Sequence, residues 1–296
     1  MAGSERVLVE VAGRQLELSN LDKVLYPEVG FTKGEIIDYY VRVAPVMLPF
    51  LRDRPLTRLR YPNGVTQTGF FEKNAPAGTP EWVRRVTMPV PGSTTNRETL
   101  DFVVADELAT VVWLANLAAI ELHTPQWRIG PGGKPARPDL LVTDLDPGPG
   151  TGLAECALVA VAARHRFELD GLAPLAKTSG KKGMQLLCRL PGDKTSEQIS
   201  EYARGVAEDL ERALPDLVTA KMAKRLRPGK VFFDWSQNAA AKTTVTPYSL
   251  RAGPEPTASA PLTWDEVESG EVRPVRAEEV LDRIEEHGDL LAPLVD

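Results

Sequence analysis

The chain has 296 residues, 43% of them hydrophobic and 26% charged, a composition typical of a soluble globular protein with one large domain or two small ones. No apolar run approaches the roughly 18–20 residues that a membrane-spanning helix needs, and the first residues lack the basic-then-apolar order of a secretory signal. The net charge of −6 argues against coating nucleic acid by bulk electrostatics. Basic residues nevertheless gather at 52–60, 177–182 and 221–230, while acids gather at 197–211 and in the C-terminal tail, so a local basic groove on an acidic body is allowed.

Alternating apolar residues at 7–11 and 15–18 flank Ala12-Gly13-Arg14 and predict a β-hairpin. Thr32-Lys33-Gly34-Glu35 has the form of a capping box and opens a helix running to about residue 48. A strand at 56–61 ends in Pro62-Asn63-Gly64. An Ala/Leu-rich helix at 107–119 leads to an extended piece at 120–123. The run 140–146 reads as a buried strand stopped by Pro147-Gly148. A helix at 152–164 follows, then strands at 173–177 and 184–190, and an amphipathic helix at 196–214 with Ser196 as its expected N-cap. Short strands are expected at 231–235 and 243–250, an extended Pro-rich connector at 253–262, and a surface-docking helix at 277–287. Strands and helices mix without strict β-α-β alternation, which predicts an α+β fold with largely antiparallel sheets. Cys156 and Cys188 sit in apolar contexts without C-x-x-C spacing and read as buried thiols of a reducing compartment.

The chemistry concentrates in the strand 140–146. Val142, Asp144 and Asp146 share one face of it, and Leu141, Thr143 and Leu145 the other. Two carboxylates on an otherwise apolar strand are costly to bury unpaired. They are stabilised if they hold Mg²⁺ or Mn²⁺, which favour hard oxygen ligands; the plain alternative is an Asp pair that caps the following turn. Three other segments fit the metal reading. Thr178-Ser179-Gly180-Lys181-Lys182-Gly183, between two strands, offers a tight backbone, a hydroxyl and two ammoniums for phosphate oxygens, although it lacks Walker A spacing and also suits a solvated hairpin turn. Asp234, in the aromatic run 231–235, is placed to act as a third ligand. Arg251, closing the segment 242–251, can clamp a polyphosphate. Three carboxylates with phosphate-holding Ser, Lys and Arg describe two-metal phosphoryl or nucleotidyl transfer.

Taken together, these segments closely resemble the polymerase module of bacterial DNA ligase D, within the archaeo-eukaryotic primase superfamily. The resemblance rests on L-D-K-V-L-Y-P (21–27), T-R-L-R-Y-P-N-G (57–64), G-F-F-E-K-N-A-P (69–76), I-E-L-H (120–123) and D-L-D-P-G (144–148). It continues through T-S-G-K-K-G (178–183), R-P-G-K-V-F-F-D-W-S-Q-N (227–238) and K-T-T-V-T-P-Y-S-L-R (242–251), and spans about residues 7 to 290. It implies one catalytic module over 1–296, an RRM-like palm joined to a second α/β lobe, and template-directed nucleotide addition at broken DNA ends in non-homologous end joining. Mn²⁺ is expected as the favoured metal, with Mg²⁺ as the alternative, and ribonucleoside triphosphates as preferred substrates. On this resemblance Asp144, Asp146 and Asp234 carry the metals. His123, Ser179, Lys182, Gln237 and Arg251 bind the nucleotide, with Arg227 near the metal site. Lys23 and Lys33 match positions that hold a downstream 5′-phosphate, and Phe70 and Phe71 would lie against template bases. Consecutive strand residues face opposite ways, so the simpler reading is that one of these two rings is core. Ku and a DNA ligase are the expected partners, a membrane is not, and the expected location is the cytoplasm, at DNA breaks in the nucleoid.

Two positions depart from the family pattern. Leu59 stands where T-R-K-R would place a lysine, and Gln185 where G-[LM]-H would place a histidine. Both lie on the expected nucleotide side and predict weaker triphosphate binding or altered nucleotide choice. The competing functions are a primase-polymerase of lesion repair, a metal-dependent nuclease, and a degenerate module that only bridges DNA ends.

Overall fold

The computed structural model describes residues 6–90 and 98–295. Its helices are α1 (Lys33–Leu51), α2 (Leu108–Asn116), α3 (Leu153–Leu169), α4 (Ser196–Ala213), α5 (Trp264–Ser269) and α6 (Ala277–His287). The expected acid-bearing strand exists as Leu140–Pro147 and lies inside a six-stranded sheet. The strand order is Val218–Thr219, Val231–Asp234, Leu140–Pro147, Met184–Arg189, Leu175–Thr178 and Pro261–Leu262. All its pairings are antiparallel except that of Val218–Thr219 with Val231–Asp234. A second, four-stranded antiparallel sheet runs Thr244–Val245, Ala119–Thr124, Thr57–Arg60, Phe70–Glu72. The fold is α+β with mainly antiparallel sheets.

The two faces of Leu140–Pro147 feed two different cores. Leu141 and Leu145 pack among Cys156 and Phe167 of α3 and Ile199, Val206 and Leu210 of α4. Leu140 and Val142 join Ile36, Met47, Ile120 and Leu122, which belong to α1 and the second sheet. Asp144 and Asp146 have the parity of Leu140 and Val142, so the acids face the second lobe. Alternation along one strand thus turns the carboxylates into the space between the sheets.

Local signals explain most element ends. Thr32 caps α1 with extended backbone, its hydroxyl accepts from Glu35 N, and the Glu35 carboxylate accepts from Thr32 N at 2.7 Å. Such a cap is worth about 1 kcal/mol. The N-cap of α4 is Thr195, not Ser196: Thr195 Oγ accepts from Gln198 N and the Gln198 side chain returns to Thr195 N. Ser196 lies inside the helix and is buried. The strand expected at 243–250 is only Thr244–Val245, because the chain turns with Ser249 N donating to Thr246 O and Tyr248 at φ +68°. Trp235 leaves its strand early, since Asp234 accepts from Ser236 N and starts a 3₁₀ turn over Trp235–Asn238. The Pro-rich segment is more than a spacer: Pro261–Leu262 pairs with Lys177 and Ala176 as the edge of the six-stranded sheet. A hairpin pairing Arg85–Pro89 with Thr99–Val103 has no counterpart among the expected elements.

Candidate active site

Asp144 lies in one cross-strand row between Gln185 and Asp234, and Asp146 lies opposite Phe232. Antiparallel pairing therefore places the three expected acids on two adjacent strands. Burial, with the charge of Asp146 adding to it, pushes the Asp144 carboxyl up to about 7, against the pull of Gln185 and Lys177. Asp146 is also pushed up, by burial and then by Asp234, while Arg227 opposes the rise. Asp144 Oδ1 is buried without a hydrogen-bond partner. Asp234 is held firmly: Oδ1 accepts from Ser236 N at 3.0 Å and Ser236 Oγ at 2.6 Å, and Oδ2 accepts from Gln237 Nε2 at 2.9 Å. Among the described residues no three His, Cys, Asp or Glu groups converge as a finished ligand set. The donor chemistry still fits a divalent cation, because an unpartnered oxygen and two carboxyls held above their ordinary range are what a bound positive charge relieves.

Gly148 sets the end of this strand. Its N–H donates to Lys230 O at 2.9 Å, and a Cβ there would fall 1.9 Å from Arg227 O. That close approach seats Arg227 against the site, its guanidinium 3.8 Å from the centre of the Phe232 ring opposite Asp146.

The basic side joins the two sheets, Glu121 and His123 from the second sheet meeting the 179–183 turn of the six-stranded one. Glu121 and His123 share a face of Ala119–Thr124, and the buried Glu121 carboxylate meets His123 Nε2 at 3.0 Å, Lys181 Nζ at 3.0 Å and Arg251 Nε at 3.2 Å. It also accepts from Ala252 N at 3.0 Å. Burial alone would raise the Glu121 pKa, but the His123 hydrogen bond and the charges of Arg251 and Lys181 outweigh it and hold the group at about 2. His123 is lowered, chiefly by burial, which favours the neutral ring. Arg251 Nη1 donates to Ser179 O at 3.0 Å, and Ser179 Oγ accepts from Lys181 N and Gly183 N. Gly180 adopts φ +73°, and a Cβ on it would stand 2.5 Å from Arg251 Cγ, so glycine permits this docking. The expected nucleotide residues His123, Ser179 and Arg251 thus form one cluster. Gln237 stands apart from it on Asp234. Lys182 is exposed, with no ion pair among the described residues.

Two contributors are not among the expected site residues. Glu121 organises the basic cluster; the signal was the shared parity of Glu121 and His123 in I-E-L-H. Lys177 is fully buried, and its ammonium donates to Gln185 Oε1, to Ser259 Oγ at 2.5 Å and to Val245 O at 3.3 Å. Burial lowers its pKa to about 7. A lysine inside the apolar strand L-A-K-T was its signal.

The expected DNA contacts lie at the start of α1 and on the edge of the second sheet. Lys23 is exposed, whereas Lys33 is buried at the start of α1 with Nζ donating to Ser19 O at 2.5 Å. Burial, then the Lys23 charge, lowers Lys33 to about 8. Phe70 and Phe71, on the edge strand, are 50% and 61% exposed, so neither ring is core. Leu59 faces Glu121 on one side and Phe71 on the other.

Residues 32–291 match the family model of the LigD primase-polymerase domain. The chain is 46% identical over 282 residues to the multifunctional non-homologous end joining protein LigD of Mycolicibacterium smegmatis, covering 95% of this chain and 36% of that protein. It is 32% identical over 276 residues to the bifunctional non-homologous end joining protein LigD of Bacillus subtilis, covering 93% of this chain and 43% of that one. The chain therefore spans well under half the length of these relatives. Its fold superposes on the polymerase domain from Mycobacterium tuberculosis ligase D in complex with DNA with a TM-score of 0.90 at 44% identity, covering 94% of this chain and 97% of the other. With a family match over most of its length and relatives well above 30% identity, the chain belongs to the LigD primase-polymerase domain family.

Proposed function

We propose that this protein is a metal-dependent, template-directed nucleotidyltransferase that fills gaps and extends ends at DNA double-strand breaks during non-homologous end joining. The observation that carries this reading is the row in which Asp144 lies between Gln185 and Asp234, on the same sheet whose 179–183 turn brings Lys181 to Glu121 and Arg251. Asp144, Asp146 and Asp234 would hold the cations. When bound, a pair of Mn²⁺ or Mg²⁺ ions supplies the Lewis acidity that lowers the pKa of a primer 3′-hydroxyl and neutralises the leaving pyrophosphate.

The chain's own groups do the positioning. Ser236 and Gln237 orient the Asp234 carboxylate. Arg227 sets a positive charge beside Asp146. Arg251 and Lys182 would clamp the triphosphate, with the Ser179 turn shaping its backbone cradle and neutral His123 beside it. Lys23 and Lys33 would receive the 5′-phosphate of the downstream strand. The exposed rings of Phe70 and Phe71 offer stacking worth about 1–3 kcal/mol per base, independent of sequence. Mn²⁺ and ribonucleotides are the proposed preferences, and Ku and a DNA ligase the proposed partners, at DNA breaks in the cytoplasm.

Primer extension on gapped DNA, with and without a 5′-phosphate, tests the reading in Mn²⁺ and Mg²⁺ with ribo- and deoxynucleotides. Templated addition that improves with the phosphate and falls to background in Asp144→Ala/Asp146→Ala is expected. DNA binding without addition in any metal would leave only an end-bridging module.

A further inference from the structure

Glu121 is 1% exposed and meets three basic side chains. One carboxylate gathers Lys181 from the glycine-rich turn, Arg251 from the end of the 242–251 segment, and His123 from its own strand. The carboxylate lies beneath while its cations reach outward: the Lys181 side chain is 43% exposed and that of Arg251 15%. Two permanent cations against one buried anion leave an outward positive excess beside the acids' sheet, fixed in place by Ala252 N–H and Ser179 O. A long cation tethered in this way binds phosphate oxygens at lower entropic cost than a free one. Lys182, its neighbour, has no such anchor among the described residues. Leu59 lies directly across the strand from Glu121 and on the same face, so an apolar side chain stands next to the carboxylate there.

We propose that Glu121 is a positioning residue that holds Arg251 and Lys181 as one polyphosphate-binding pair, and that Lys181 supplies the positive charge which position 59 lacks. This assignment rests on the reading of the site as a nucleotide-polymerising one. It makes Lys181, and not only Lys182, a residue that touches the substrate triphosphate, and it makes the Leu59 departure a compensated one.

The experiment titrates inorganic tripolyphosphate calorimetrically into the full chain in metal-free buffer, which removes any contribution of a bound cation. Lys181→Ala is expected to weaken binding about tenfold, the scale of one charge-assisted contact. Glu121→Gln, which keeps both cations and nearly the same shape, is expected to weaken it similarly and to raise nucleotide KM more than it lowers kcat. Leu59→Lys in the Lys181→Ala background should recover most of the loss, and should recover none when Glu121→Gln is added. Tripolyphosphate affinity unchanged in Lys181→Ala, or improved in Glu121→Gln, overturns the proposal. If Glu121→Gln does not fold, the Lys181→Ala and Leu59→Lys pair decides alone, and failure of Leu59→Lys to rescue counts against it. A wild-type chain that binds tripolyphosphate through Lys181 but extends no primer would overturn the polymerase reading and leave this one standing.

Discussion

The Asp144 carboxyl shows how function is set against stability at a single residue. Burial and Asp146 move it from 3.8 to about 7, so the folded chain keeps a proton that the unfolded chain has already released. The contribution of Asp144 to the stability of the metal-free protein therefore falls as pH rises between about 4 and 7. Asp144→Asn is expected to raise the melting temperature of metal-free protein at pH 8, by about 2–4 °C for each kcal/mol of repulsion removed. The same variant should lose the rise in melting temperature that Mn²⁺ gives the wild type. Thermal scans at pH 5 and 8, with and without MnCl₂, check both; a variant no more stable than wild type at pH 8 without metal contradicts the argument. Asp144 and Asp146 were legible in the sequence because two acids break an apolar run. Glu121 and Lys177 left only a faint mark, an odd polar residue within an apolar strand, because most of their partners (Lys181 and Arg251 for Glu121, Val245 and Ser259 for Lys177) arrive from segments distant in the chain.

At the scale of elements, sequence signals work where they are local. The box Thr32-x-x-Glu35 starts α1 as expected, and the same grammar explains the α4 cap, since Thr195-x-x-Gln198 forms a box and Ser196-x-x-Ile199 cannot. Glycine acts through neighbours that no local pattern names. Gly148 admits Arg227 O where a methyl would stand 1.9 Å away. Gly148→Ala is therefore expected to displace the 227–230 loop, to cost about 1–3 kcal/mol of stability as overpacking, and to cut nucleotide addition by more than that loss explains. Extension assays well below the melting temperature separate the two effects. Full activity in a stable Gly148→Ala would show that Arg227 need not sit against Phe232.

Over the whole molecule, an overall charge of −6 coexists with cationic sites that are local and separate. Lys23 and Lys33 lie together at the entrance to α1, where Lys33 N donates to Lys23 O. Lys23→Ala should reduce the preference for 5′-phosphorylated over unphosphorylated gaps and flatten the log–log salt dependence of binding by about one unit. Anisotropy titrations at several salt concentrations read both, and an unchanged phosphate preference would remove Lys23 from the site. By itself the sequence determined the α+β class, the acid-bearing strand, the order of the principal helices and strands and the family, because periodicity, caps and motif spacing are properties of contiguous residues. Only the tertiary structure decided that Asp234 stands opposite Asp144, that Pro261–Leu262 completes the acids' sheet, and that Phe70 and Phe71 are both exposed on an edge strand. It also decided that Glu121 collects three basic side chains. The physical reason is that strand register and the pairing of buried charge are set by which distant segments share a core, and that choice minimises the free energy of the whole chain rather than of any stretch within it.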